Sequence, residues 1–172
     1  MPRHVVLVGL AGAGKSTAGQ IAATQLSAPF VDPDAIIVRR MQMPVVRIFA
    51  EFGEARFRQL EHDAVEEALA GPPSVVVPGG GWAADPGHIA SARGRAFIIY
   101  LKVEPSTAAA RIPADHDRPL LLSQDPVARM RELLGNREAF YKLADKVIPN
   151  DKPTAEQTAT EIVKLARQFA GW

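Results

Sequence analysis

Gly9-Leu10-Ala11-Gly12-Ala13-Gly14-Lys15-Ser16-Thr17 follows the apolar run Val5-Val6-Leu7-Val8 and fits the pattern G-x-x-x-x-G-K-[ST]. The chemistry of that spacing is the binding of a phosphate chain. The glycines let the backbone curl so that its N–H groups point inward at phosphate oxygens. Gly12, Ala13, Gly14, Lys15, Ser16 and Thr17 are the candidate contacts. Lys15 adds a point charge for the β and γ phosphates, and the Ser16 hydroxyl can ligate Mg²⁺. The residues from Thr17 to Gln25 predict a helix whose positive N-terminus faces the same phosphates. Binding of a nucleoside triphosphate follows.

Other residues could do chemistry beside this loop. Asp32-Pro33-Asp34 ends the second apolar run, Phe30-Val31, at the sheet edge where open parallel sheets bind ligands. Asp and Pro are common in turns and helix caps. Next to a phosphate loop, however, one carboxylate can hold Mg²⁺ through water and the other can accept a proton from an attacking hydroxyl. Gly79-Gly80-Gly81 follows Val75-Val76-Val77. Three glycines at a strand's carboxyl end let the backbone approach a ligand closely with N–H groups to bond it. From Phe52 a helix is predicted in which Phe57, Leu60, Glu61, Ala64, Val65 and Ala68 share one face. Glu61 thus lies in an apolar stripe with Arg58 one turn before it. A simple i,i+3 salt bridge and a Glu61 that orients Arg58 toward an anionic substrate both fit that spacing.

A further helix over about Pro126–Leu143 puts Met130, Leu133, Leu134, Arg137 and Tyr141 on one face. An inward-facing charge is costly unless paired, so Arg137 either snorkels to solvent or waits in a cavity for an anion. A guanidinium suits a carboxylate because it binds with two prongs. Arg118-Pro119-Leu120-Leu121 closes a polar stretch, Pro113 to Asp117. An arginine on a mobile loop could bridge a phosphoryl group in transfer, and an ordinary surface arginine fits the same residues. His4, His62, His88 and His116 show no metal-ligand spacing and read as surface or structural positions.

The elements that must position these groups are legible as a pattern. Val5–Val8, Phe30–Val31, Val75–Val77, Phe97–Leu101 and Val147–Ile148 are apolar without alternation, as in strands buried on both faces of a parallel sheet. The intervals are long enough for crossover helices. Asp125-Pro126 reads as an N-cap with proline at the first helical position, and Thr154-Ala155-Glu156-Gln157 as a capping box. The expected fold class is α/β: three α/β/α layers around a five-stranded parallel sheet, as one domain over residues 1–172. Apolar residues are 47% of the chain, enough for a sizeable core. Twenty Lys and Arg against nineteen Asp and Glu give a net charge of +1, which offers no electrostatic reason to bind nucleic acid or a membrane surface. With no cysteine there is no disulfide, thiolate metal site or cysteine nucleophile. No signal peptide or bilayer-spanning apolar stretch is seen, so a soluble cytoplasmic protein is expected, and with no large unexplained apolar face evident a monomer is expected.

Taken in order, the motifs resemble shikimate kinase over nearly the whole chain. They are the loop at 9–17, Phe30-Val31-Asp32-Pro33-Asp34, Ile48-Phe49 with Gly53-Glu54 and Phe57-Arg58, then Gly79–Gly81, Arg118-Pro119-Leu120-Leu121 and Arg137-x-x-x-Tyr141. The resemblance implies a P-loop kinase fold with a substrate-binding segment at about 33–61 and a short lid at about 112–118. It implies transfer of the γ-phosphoryl of ATP, with Mg²⁺, to the 3-hydroxyl of shikimate, a step toward chorismate and the aromatic amino acids. Lys15, Asp34 and Arg118 would be catalytic. Asp34, Arg58, Glu61, Gly79, Gly80, Gly81, Arg118 and Arg137 would meet the substrate, with Arg58 and Arg137 on its carboxylate. Ser16 and Asp32 would serve Mg²⁺, and Arg111 and Pro153 would sandwich adenine. The chain departs from the family pattern after Asp34, where the acidic residue usual near the Ile pair is missing from Ile36-Ile37-Val38-Arg39-Arg40. Glu61 is then the partner expected for Arg58. The competing readings are a kinase for another small hydroxy acid such as gluconate, and a ligand-binding domain of the same shape without turnover.

Overall fold

The computed structural model describes residues 1–113 and 125–172. Among these, the strands β1 (His4–Val8), β2 (Phe30–Val31), β3 (Val75–Val76), β4 (Ala96–Lys102) and β5 (Lys146–Pro149) form one parallel sheet in the order β2-β3-β1-β4-β5. All five expected apolar runs are strands. Every residue of β1 is buried, because helices cover both faces of the central strands. The order reverses direction beside β1: the chain goes from β1 out to β2, returns to β3, and then crosses to β4 on the other side. That reversal opens a crevice at the carboxyl ends of β1 and β3, where the loops at 9–14 and 78–81 emerge.

The helices among the described residues are α1 (Lys15–Gln25), α2 (Pro33–Met41), α3 (Val45–Ala70), α4 (His88–Ala92), α5 (Pro105–Arg111), α6 (Pro126–Tyr141) and α7 (Ala155–Phe169). Their starts follow the local chemistry read from the sequence. Asp32 accepts from the Ala35 N–H at 3.2 Å with Pro33 at the first turn, and Asp125 caps α6 through the Ala128 N–H at 3.0 Å ahead of Pro126. Thr154 and Gln157 complete the reciprocal capping box of α7. Each such cap contributes about 1 kcal/mol.

Two further boundaries differ from expectation, besides the start of α1 at Lys15 instead of Thr17. The helix expected to open near Phe52 begins at Val45 and kinks at Gly53, whose φ of 85° and ψ of 165° no helical residue adopts. Gly53 supplies that positive φ without steric cost, so the segment from Pro44 runs as one helix, breaks, and restarts in a new direction carrying Arg58 and Glu61. The helix expected over about Pro126–Leu143 ends at Tyr141. The main core packs between sheet and helices, and a smaller cluster of Ile37, Ile48, Phe57 and Ala64 joins α2 to α3. That second cluster sets where α2 and its Asp34 lie relative to Arg58.

Candidate active site

The loop from Gly9 to Gly14 is shaped by backbone conformations open to glycine. Gly12 has a φ of 81°, and a Cβ placed on it would lie 2.4 Å from the Ala108 carbonyl oxygen. Gly9 has a φ of 145°, and its Cβ would lie 2.5 Å from the Leu101 carbonyl oxygen. The loop is thus pressed flat against β4 and α5, and its inner side is left for a ligand. Lys15 is buried, and its Nζ donates to the carbonyls of Gly9 at 2.7 Å and Leu10 at 2.8 Å. The ammonium therefore spans the loop from within. The first-turn amides of α1 face the same space.

A cavity of about 170 Å³ joins this loop to the second strand. Gly12, Gly14, Lys15, Ser16, Thr17, Asp32, Asp34 and Gly79 line it, with Pro78 and Val77 at its floor. The cavity brings together the phosphate loop and both aspartates, as the sequence suggested. Ser16 and Asp32 offer hard oxygen donors of the kind Mg²⁺ takes alongside phosphate and water. Asp32 spends one oxygen on capping α2, so its structural and ligand-binding readings coexist. Among the described residues no group of three His, Cys, Asp or Glu could hold a metal alone.

The glycine triplet differs from expectation in one respect. The Gly79 N–H is taken: it donates to Glu61 Oε1 at 2.9 Å. The Gly80 carbonyl accepts from the Tyr141 hydroxyl at 2.6 Å. A Cβ on Gly80 would lie 3.2 Å from the Arg137 guanidinium, and one on Gly81 would fall 2.4 Å from the Arg58 guanidinium carbon. The close approach these glycines permit is in the first place to the protein's own Glu61, Arg137, Tyr141 and Arg58. Beyond them lies a second cavity of about 370 Å³ lined by Arg58, Gly81, Arg129, Leu133, Asn136 and Arg137, with Glu54 and Asp85 at its rim. Arg137 does not reach out along solvent. It faces this cavity and hydrogen-bonds Tyr141.

Arg58 and Glu61 form a 2.8 Å ion pair, with Glu54 a second partner for Arg58 at 3.6 Å. Glu61 is fully buried, so this is no ordinary surface bridge. Burial first, and the negative charge of Asp34 second, push the Glu61 carboxyl up to about 7, against the pull of Arg58 and the Gly79 N–H. A carboxyl raised from 4.5 in the open chain to about 7 in the fold binds its proton more tightly when folded. Its stabilising contribution is complete below pH 4.5 and is lost as the pH rises through 7. Thermal melts across that window should show wild-type stability falling with pH relative to Glu61→Gln. Parallel curves would show that Glu61 does not titrate there.

Arg111, at the end of α5, crosses the outer edge of the loop: it donates to the carbonyls of Gly12 at 3.3 Å, Asn150 at 2.8 Å and Asp151 at 3.2 Å. Pro153 lies in the same β5–α7 connection. Asn150 was not singled out from the sequence. Its amide donates to the Ala13 carbonyl at 2.7 Å, and its oxygen accepts from the Thr158 hydroxyl. A buried polar residue at the carboxyl end of β5 was the available signal, because that end points at the phosphate loop. Arg118 and most of the expected lid lie outside the described residues.

A family model described as "Shikimate kinase" matches residues 11–167. The chain belongs to the shikimate kinase family. Shikimate kinase of Thermobifida fusca is 42% identical over 160 residues, covering 92% of each chain. That of Caldanaerobacter subterraneus subsp. tengcongensis is 39% identical over 169 residues, covering 98% of this chain and 99% of its own. Among solved structures, shikimate kinase from Acinetobacter baumannii in complex with shikimate superposes with a TM-score of 0.92 at 29% identity, over 98% of this chain and 94% of that one. The five-stranded sheet and helices are thus those of the shikimate kinase fold. Among the described residues no helix is long and apolar enough to cross a membrane.

Proposed function

We propose that this chain is an ATP-dependent kinase that phosphorylates the 3-hydroxyl of shikimate, releasing ADP and shikimate 3-phosphate. The observation that carries the reading is the glycine triplet, which separates two complementary spaces. On one side are Lys15, Ser16 and Asp34; on the other are Arg58 and Arg137. A small polyol with one carboxylate needs this polarity, with cationic anchors at one end and a proton acceptor at the other. Family membership and the shikimate-bound neighbour support the choice of acid.

In this reading the nucleotide phosphates lie on the amides of Gly12 to Thr17, with Arg111 and Pro153 on either side of the adenine. Ser16 and Asp32 hold Mg²⁺ with the phosphates. Bound there, Mg²⁺ neutralises charge on the β and γ oxygens. Asp34 accepts the proton of the attacking hydroxyl, and Gly79, Gly80 and Gly81 border the ring. Arg58 and Arg137 grip the carboxylate, and Glu61 holds Arg58 in place. Arg118 is proposed to meet the phosphoryl group, a role worth up to about 10³–10⁵ in rate by analogy with arginine fingers. Catalysis of this kind is positioning and charge stabilisation. A cytoplasmic monomer acting on small molecules completes the proposal.

The test is Mg²⁺-dependent ADP release by purified protein with shikimate, gluconate or quinate. Strong stimulation by shikimate alone supports the reading. Stimulation by gluconate instead would reassign the substrate, and nucleotide binding without stimulation by any acid would point to a non-catalytic domain. Arg137→Ala should raise the KM for shikimate about 100-fold, the cost of a charged hydrogen-bonded anchor of roughly 3 kcal/mol, with kcat little changed. An equal loss of rate at saturating shikimate would remove Arg137 from the carboxylate site.

A further inference from the structure

Three aromatic rings stack beside Arg58. The His62 and His88 rings lie 4.2 Å apart and within 7° of parallel, and Trp82 stacks on His88 at 5.3 Å. Trp82 is buried and follows Gly81 directly. His88 opens α4, and its Nδ1 lies 2.8 Å from the Trp82 carbonyl. A carbonyl only accepts, so Nδ1 carries the proton. His88 Nε2 faces Asp85 at 3.8 Å. His62 Nδ1 is buried with no hydrogen-bond partner among the described residues, so ring packing rather than that nitrogen holds the side chain.

These contacts close a circuit. Arg58 presses on the backbone of Gly81, Gly81 leads to Trp82, Trp82 stacks on His88, and His88 stacks on His62. His62 lies one helical turn beyond Arg58 on α3, so both side chains share a face. The stack thereby fixes the spacing between that turn of α3 and the glycine loop, which is the space the guanidinium occupies. Arg58, His62 and His88 line one cavity of about 520 Å³ with Glu54, Gln59 and Asp85.

We propose that the stacked His62–His88 pair is a positioning element for Arg58, and through it for the substrate carboxylate. This rests on the reading of Arg58 as a carboxylate anchor. The charged groups around the pair, among the described residues, are Glu54 and Arg58 on α3 and Asp85 before α4.

The experiment measures the KM for shikimate, the KM for ATP and kcat at neutral pH. Wild type is compared with His62→Ala, His88→Ala and His62→Phe. The alanine variants should raise the KM for shikimate about tenfold at neutral pH, as a small displacement of a substrate anchor does, leaving the KM for ATP and kcat near wild type. His62→Phe keeps a ring that can stack on His88 and should restore the KM for shikimate. A wild-type KM for shikimate in both alanine variants would overturn the proposal, as would a His62→Phe KM no better than that of His62→Ala, or a joint loss of kcat, ATP binding and melting temperature. Should wild type show no shikimate-stimulated turnover, the functional reading fails separately. The Arg58 Nε–H NMR signal then decides: at fixed pH it should shift in His62→Ala and return toward wild type in His62→Phe, and a signal unmoved by His62→Ala overturns the coupling.

Discussion

Lys15→Met is expected to lower kcat/KM for ATP by about 10²–10³-fold, the usual cost of removing one charged donor from a developing anion. Methionine suits the test because it keeps the length and apolar stem of a buried side chain and deletes the charged donor. The ammonium is engaged by the carbonyls of Gly9 and Leu10. Those two bonds hold it at the centre of the loop, where the β and γ phosphates are proposed to lie, so no large movement is needed to meet them. Two effects of the substitution have to be separated. Freed from Lys15, the two carbonyls lose their donor, which costs about 1–3 kcal/mol if water cannot replace it. The buried positive charge is also gone, which offsets part of that loss. The melting temperature should therefore move little while turnover collapses. A collapse of both would make Lys15 a brace for the loop rather than a phosphate contact. Full activity in a folded variant would remove the lysine from the reaction.

The parts of this molecule that were legible in the sequence are those governed by nearest neighbours or by burial on both faces. The strands declared themselves because a central parallel strand such as Val5–Val8 has no solvent face to alternate with. The caps at Asp32, Asp125 and Thr154 did so because each satisfies an amide three residues on. Glu61 stood out as a charge in an apolar stripe, but spacing could not say whether it was exposed. Its complete burial, and the bond to Gly79 eighteen residues away, are tertiary facts. The break at Gly53 was hidden for the opposite reason: its flanks are both good helix, and a single glycine inside such a run carries no direction. The histidine pair was invisible because its members come from α3 and α4, and no spacing along a single helix brings the two rings together. The missing acid after Asp34 pointed to a substitute for pairing Arg58. The structure supplies two, Glu61 and Glu54, both on the same helix as the arginine.

Asp34→Asn should lower kcat by about 10²–10⁴-fold, the range for removing a positioned general base, with the KM for ATP unchanged. The residue lies in the first turn of α2, after the Asp32 cap and Pro33, where the helix N-terminus favours a carboxylate. It shares the cavity with Lys15, and both its oxygens come within 3.6 Å of where a Cβ on Gly79 would stand. A negative group there is at the junction of the phosphate loop and the proposed acid-binding side. Asparagine keeps the size and can still accept a hydrogen bond from a hydroxyl, but it cannot take the proton. A loose transfer step asks less of a base, which places the expected loss toward the lower end of the range. A second readout guards against misreading a disturbed site. Asp34's charge helps to hold the Glu61 carboxyl up at about 7, so removing it must lower that carboxyl's pKa. The pH window in which stability falls then closes at its upper end. A shifted window with low kcat fits a base that is gone from an intact site. A shifted window with normal kcat would show that Asp34 acts on Glu61 and not on the substrate hydroxyl, and the proton would need another acceptor.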